Sequence, residues 1–298
     1  MQSSAWLVAT IALAFAARGE AAAPAAAASP QDVLARSAAS DWREIDPENT
    51  LYMELASGRV VMELAPKFAP LHVTAIKTLV RAHYFDGLNI VRAQDNYVVQ
   101  WGDEENKRSL GPVSATAPPE FLRPLQHDAS FRRLQDADVY APQVGFIDSW
   151  PVARDPAKGQ EWLTHCYGML GVGRDTKPES GSGAELYVVI GHSPRQLDRN
   201  VALVGRVIQG IELLSTLPRG TADLGFYAKP EQYVPIRSIA IAADVPVEKR
   251  VNFEVLRSDT PLFSEYLTAL RTRRSEWFAE PTNRLEICNA KVAVRMRH

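Results

Sequence analysis

Cysteine is scarce in this chain, with two in 298 residues, Cys166 and Cys288. No C-x-x-C pair and no Cys/His spacing of the zinc-binding kind occurs, so neither a metal nor a cofactor is called for. In an oxidising compartment the two cysteines could pair and tie a core strand to the C-terminal tail. We read them instead as two separate thiols. The six histidines show no partner pattern either, and His72, His83 and His165 read as surface or satisfied residues. Charge of one sign is also lacking: the formal net charge is −2, so no global field recruits nucleic acid or an anionic membrane. There is no internal repeat. No apolar run reaches the roughly 20 residues that span a bilayer. What remains is an ordinary soluble composition, 46% hydrophobic and 23% charged, long enough for one large domain with extensions or two small ones.

The longest apolar run, Ala5 to Ala17 (AWLVATIALAFAA), has the length of a signal-peptide core, and small residues with A-x-A choices such as Ala21-Ala22-Ala23 follow it. Residues 1–28 are therefore expected to be a signal peptide and linker, which places the protein in the periplasm or outside the cell. No Lys or Arg precedes the run, so an uncleaved membrane anchor is the alternative. After cleavage no membrane span remains.

Beyond a polar stretch with a short helix near 31–38, the pattern becomes that of strands. Leu51–Leu55 and Val60–Leu64 flank Ala56-Ser57-Gly58-Arg59, two apolar runs around a glycine turn, which predicts a hairpin. Pro66 and Pro70 open a helix in which Val73, Ile76, Leu79 and Val80 recur at helical spacing, ending near His83 to Gly87. Strands are expected at 88–92, 97–100, 167–172, 185–191, 202–207 and 234–242, with a short helix at 210–217. Residues 104–160, rich in proline and charge and weak in periodicity, read as a long insertion of loop character. Residues 248–298, with the amphipathic Leu262, Phe263, Tyr266, Leu267 and Leu270, read as a C-terminal helical extension. About eight short strands with two embedded helices predict a mainly β fold, a closed eight-stranded antiparallel barrel capped by the helices.

Four blocks carry a family resemblance. Tyr84-Phe85-Asp86-Gly87 runs into the strand ending in Arg92, and Asn96 to Asp103 contains Gln100 eight residues after that arginine. Tyr167 to Gly173, Gly183 to Val189, and Leu197-Asp198 with Val201 to Val207 follow in order. Together they resemble the cyclophilin-type peptidyl-prolyl cis-trans isomerases over residues 49–247. The resemblance implies a barrel with a surface groove for proline-containing polypeptides, worked by a monomer without a cofactor. It implies that Arg92 is catalytic, that Tyr97 packs on the substrate proline and that Val98 lines the proline pocket. Gln100 would bond peptide backbone, Glu185 and Tyr187 would line the groove, and Gly173 with Arg174 would present backbone to the substrate. Some positions depart from the family pattern: Gln196 stands where it has a groove tryptophan, Val201 and Val91 where it has histidines, and Glu185 where it has glutamine.

These residue types suit the reaction. Twisting an amide removes C–N double-bond character and meets a barrier of about 18–20 kcal/mol. No nucleophile or metal is needed, since the site has only to bind the twisted amide better than either planar form. The proline nitrogen regains its lone pair on twisting, and a fixed, always charged guanidinium is suited to donate to it. Three functions therefore stand open. The first is isomerisation of X-Pro bonds in exported proteins. The second is a non-catalytic peptide-binding module or chaperone on the same barrel. The third is an unrelated β-barrel carrier, which requires an open lumen. Taken singly, Arg92 could also be an ordinary ion-pair member, with Glu185 as its acid.

Overall fold

A computed structural model of the chain describes residues 28–127, 130–273, 275 and 277–297. Of the expected leader, 1–28, residues 1–27 lie outside the described residues.

In chain order, helix α1 (Pro30–Ala35) and strand β1 (Trp42–Glu44) precede the hairpin β2 (Thr50–Leu55) and β3 (Gly58–Leu64). Helix α2 (Pro70–Arg81) and strands β4 (Asn89–Ala93) and β5 (Val98–Gly102) follow. The insertion carries β6 (Arg123–Pro124), β7 (Arg132–Arg133), β8 (Gln143–Ile147), β9 (Trp150–Asp155) and β10 (Gln160–Leu163). Next come β11 (Met169–Val172), β12 (Leu186–Val189), β13 (Leu203–Gln209), helix α3 (Ile211–Ser215) and β14 (Val234–Ile241). Strand β15 (Phe253–Leu256), helix α4 (Pro261–Thr272) and strand β16 (Val294–Met296) complete the chain.

Eight of these strands close a barrel in the order β11-β12-β5-β4-β14-β2-β3-β13, with every pair antiparallel. Side chains alternate between its two faces, as the period of a strand requires. Leu51, Met53 and Leu55 of β2, Val60 and Met62 of β3, Val99 and Trp101 of β5, and Leu186 and Val188 of β12 belong to one buried cluster, which fills the lumen. The open lumen of a carrier is thereby ruled out. Each such aliphatic side chain contributes about 1.5–3 kcal/mol through burial. Their neighbours Tyr52, Val61, Val98, Tyr187 and Val189 point outward, yet they are buried too, in a second cluster shared with the insertion and the C-terminal segment.

That second core departs from the expectation of a looping insertion. Strands β6 to β10 form a five-stranded sheet in the order β6-β10-β9-β8-β7. The β8–β9 hairpin turns on Asp148 and Ser149, both at positive φ (49° and 68°), which suits the twist of a two-residue hairpin loop. Ser149 is fully buried and donates to the Leu256 carbonyl, docking the turn on the C-terminal segment. Strand β9 is buried along its whole length, so it shows no alternation by which sequence could betray it. Its Arg154 is buried against Glu161 of β10, which also holds Arg123.

The extension is likewise only partly helical. Helix α4 packs beside α1, and Arg36 meets Glu265 at 3.1 Å. Strands β15 and β16 join β1 in a three-stranded sheet. The two cysteines are not separate thiols: Cys166 and Cys288 form a disulfide, with their Cα atoms 4.9 Å apart across 122 residues of sequence.

Candidate active site

Register places the site. On adjacent strands Arg92 of β4 pairs with Gln100 of β5, and Gln100 pairs with Tyr187 of β12. The three side chains therefore stand in a row across the outer face of the barrel, and Glu185 lies on the same face two residues before Tyr187. A register shift between Ile90 and Arg92 locally disrupts the β4–β5 pairing beside the arginine. The row forms the floor of a groove of about 920 Å³, within the size of small-ligand sites. All eight residues singled out in the sequence line this groove: Arg92, Tyr97, Val98, Gln100, Gly173, Arg174, Glu185 and Tyr187.

The Arg92 guanidinium is half-buried and fixed by acceptors rather than by an acid. Its Nε donates to the Leu224 carbonyl at 2.6 Å, Nη1 to Gln100 Oε1 at 3.0 Å, and Nη2 to Gln94 Oε1. Three of its five N–H groups are thus engaged, leaving one on each terminal nitrogen. The rings of Tyr97 and Phe226 flank it at 5.6 and 5.3 Å. Burial lowers its pKa from the usual arginine value, with Tyr97 acting in the other direction, and an arginine still remains charged. Among the described residues it forms no ion pair, so the simple Arg92–Glu185 pair is absent: Gln100 stands between them, its Nε2 donating to Glu185 Oε2 at 3.1 Å.

Glu185 lies across two glycines. A Cβ at Gly102 would sit 2.7 Å from its Cγ, and one at Gly173 would sit 3.1 Å from its Oε2. Burial raises its carboxyl above the usual range; the Gln100 hydrogen bond opposes this, and Asp103, Glu104 and Asp175 add to it. The Gly173 N–H is spent on the Glu185 carbonyl at 2.8 Å, so that glycine contributes room and not a donor. The Arg174 guanidinium turns to the carbonyls of Asn200, Asp175 and Thr176 and lies near the Phe121 ring.

Tyr97, Val98, Tyr187, Leu197 and Val201 contribute an apolar hollow to the same groove lining. Tyr187 is fixed from behind, its hydroxyl bonding His165 Nε2 at 2.9 Å while His165 Nδ1 bonds Asp198 Oδ1 at 2.9 Å. Burial, with Tyr97 and Asp198 adding to it, pushes the Tyr187 phenol well above its ordinary value. Its ring lies where a Cβ of Gly171 would be, 2.3 Å from the nearest ring atom, so position 171 must stay glycine.

Sequence reasoning missed Phe226 and Leu224. They come from the irregular segment between α3 and β14, which has no periodicity, and an isolated bridge joins Phe226 to Arg92. Gly225, at φ 78°, allows that segment to press on Gln94, where a Cβ would come within 2.5 Å of the Gln94 Cα. His165 is more than a satisfied residue, since with Asp198 it supports a groove wall. The position of Val201 in the hollow agrees with its place in the fourth block, whereas Gln196 does not line the groove.

The family model described as cyclophilin type peptidyl-prolyl cis-trans isomerase/CLD matches residues 50–241. Probable peptidyl-prolyl cis-trans isomerases of Brucella suis and Brucella melitensis are each 25% identical over 191 residues, covering 63% of this chain and 82% of theirs. Among solved structures, the crystal structure of the cyclophilin AquaCyp293 from Hirschia baltica aligns over 89% of this chain and 96% of its own, with a TM-score of 0.69 at 24% identity.

Proposed function

We propose that this chain, which belongs to the cyclophilin-type peptidyl-prolyl cis-trans isomerase family, isomerises X-Pro bonds of exported proteins as a monomer and so assists their folding. Isomerisation of proline-containing polypeptides comes with the family. The proposal adds the compartment, the clients and the role of Arg92. In it the substrate proline sits in the hollow of Tyr97, Val98, Tyr187, Leu197 and Val201, and the acyl side turns in front of Arg92. A free N–H of the guanidinium donates to the proline nitrogen as its lone pair emerges. Donors already fixed before the twist need no reorganisation during it, which is where such contacts accelerate most.

The observation that carries this is the held but unpaired guanidinium of Arg92 beside an apolar hollow. An acid partner would offset the charge that the twisted amide needs, and its place is taken by neutral acceptors. Arg92→Ala is expected to lower kcat/KM for an X-Pro peptide by about a hundredfold or more. Equal activity in wild type and variant would overturn the assignment. An inactive wild type that still binds the peptide would favour the non-catalytic module.

Export is supported by the apolar run at the N-terminus and by the Cys166–Cys288 disulfide, which suits an oxidising compartment. Sequencing the mature N-terminus from an envelope fraction tests it. Cleavage between residues 18 and 30 is expected, and a full-length cytoplasmic form would refute it.

A further inference from the structure

A side-chain amide can turn over and exchange its oxygen and nitrogen at little cost unless its partners distinguish them. Gln100 lies between a guanidinium, which only donates, and a carboxylate, which only accepts when ionised. Its carbonyl oxygen faces Arg92 Nη1 at 3.0 Å and its nitrogen faces Glu185 Oε2 at 3.1 Å. The Glu185 side chain is itself confined, lying over Gly102 and Gly173 with no space for a Cβ at the first.

We propose that Glu185 is a positioning residue for Arg92, its carboxylate fixing the Gln100 amide in the one orientation that presents an acceptor to the guanidinium. The proposal rests on Arg92 being the reactive group. A neutral glutamine at 185 can donate as well as accept, so it would tolerate either orientation of Gln100. In the turned-over orientation an NH₂ would face the guanidinium, and one of the three contacts holding Arg92 would be lost. The direct interaction of Gln100 with substrate is reduced accordingly, because its oxygen and one N–H are committed within the row.

Protonation of Glu185 should have the same effect as the glutamine substitution, because a carboxylic acid both donates and accepts. The groups in its field are Asp103 and Glu104 at the end of β5, Asp175 after β11 and Tyr84 after α2. The groove cations besides Arg92 are engaged elsewhere: Arg108 bonds the carbonyls of Tyr84 and Asp86, and Arg174 bonds those of Asn200, Asp175 and Thr176. Among the described residues no cation forms an ion pair with Glu185. The surrounding charge is therefore acidic and favours the protonated form, so the lock should open above the pH at which an exposed glutamate titrates.

Two measurements on the full-length protein test this. In side-chain amide NMR, the Gln100 NH₂ resonances of the wild type should shift as pH is lowered from neutrality into the range in which an exposed glutamate titrates, and the Arg92 Nε–H resonance should shift with them. Neither should move in Glu185→Gln. In peptide kinetics, Glu185→Gln should lower kcat roughly two- to tenfold, the worth of one hydrogen bond, with KM little changed. Wild-type kcat should show an acid limb, and Glu185→Gln should lose it. Gln100 resonances that do not titrate in the wild type, or an unchanged kcat and acid limb in Glu185→Gln, would overturn the proposal. If the wild type has no isomerase activity, the Arg92 reading falls instead, and the resonances still decide whether Glu185 sets the amide.

Discussion

Replacing Tyr187 by phenylalanine removes one hydroxyl and leaves the ring on the groove side unchanged. His165 is buried, with 1% of its surface exposed, and so is Asp198, at 4%. With Nδ1 donating to Asp198, the imidazole Nε2 is left to accept from the Tyr187 hydroxyl, and among the described residues it has no other hydrogen-bond partner. The variant strands that nitrogen, and an unsatisfied buried acceptor costs about 1–3 kcal/mol. At about 2–4 °C per kcal/mol for a chain approaching this size, the unfolding midpoint should fall by roughly 2–12 °C. Activity should respond otherwise. The apolar ring still closes the proline hollow, so kcat/KM at 25 °C should stay within about threefold, less than 1 kcal/mol of transition-state binding. Thermal unfolding by circular dichroism and a peptide isomerisation assay on the same sample give both numbers. An unchanged midpoint would show that the hydroxyl bond carries no stability. A collapse of activity at full stability would show that the hydroxyl faces substrate, contrary to the geometry.

Gly171→Ala acts on the same wall more severely: its methyl would fall 2.3 Å from the Tyr187 ring, so kcat/KM should drop at least tenfold, well beyond the effect of Tyr187→Phe, in the same assay. Reduction of the Cys166–Cys288 disulfide releases a long loop and should cost about 2–4 kcal/mol in urea unfolding; isomerase activity at 25 °C should persist, since neither cysteine lines the groove. Glu185→Gln should raise the unfolding midpoint at pH 7 and leave it unchanged near pH 4. A carboxyl whose folded pKa is raised adds stability below its unfolded pKa and loses it as pH rises through the folded value, so a neutral amide removes the penalty only at high pH. Asp198 has the opposite sign. Its burial would raise it, but His165 and Arg195 hold it below the usual range, so wild-type stability should fall as pH drops through the low carboxylate range, and Asp198→Asn should flatten that slope.

The barrel was legible because its strands obey local rules. The hairpin 51–64 alternates lumen and outer residues around a glycine turn. The eight-residue step from Arg92 to Gln100 is the length a tight β4–β5 connection needs to bring the two side by side. The insertion was illegible for the opposite reason: β9 is buried on both faces, and it places Arg154 where sequence alone has no means of seeing Glu161. Charges that are satisfied only by tertiary partners look like loop charges. The disulfide escaped for the same cause, since 122 residues separate two cysteines with no local signal between them. Phe226 was invisible because its segment is positioned by contacts to Gln94 and Val91, not by its own periodicity.

The parts added to the barrel converge on one groove wall. His165 and Asp198, which support Tyr187, come from the barrel's own connections. Asp198 also accepts from Arg195 Nε at 2.6 Å and from the Trp162 indole of β10 at 3.2 Å. Arg195 in turn reaches Asp138 of the insertion at 2.9 Å and Glu286 of the C-terminal segment at 3.7 Å. Next to His165, Cys166 is tied covalently to Cys288 of that same segment. A buried arginine between two carboxylates loses much to desolvation and is retained where removal of any partner would leave a charge stranded. Insertion, barrel and extension therefore each contribute to a network around Arg195, tightly through the buried Asp138 and Asp198 and at its exposed edge through Glu286, and its end point is the hydroxyl of a groove residue. The second core thus supports the proline hollow from behind, whereas Arg92 is held from its own face by Leu224, Gln94 and Gln100. Loosening the extension should therefore reach the hollow through Tyr187 before it reaches the arginine.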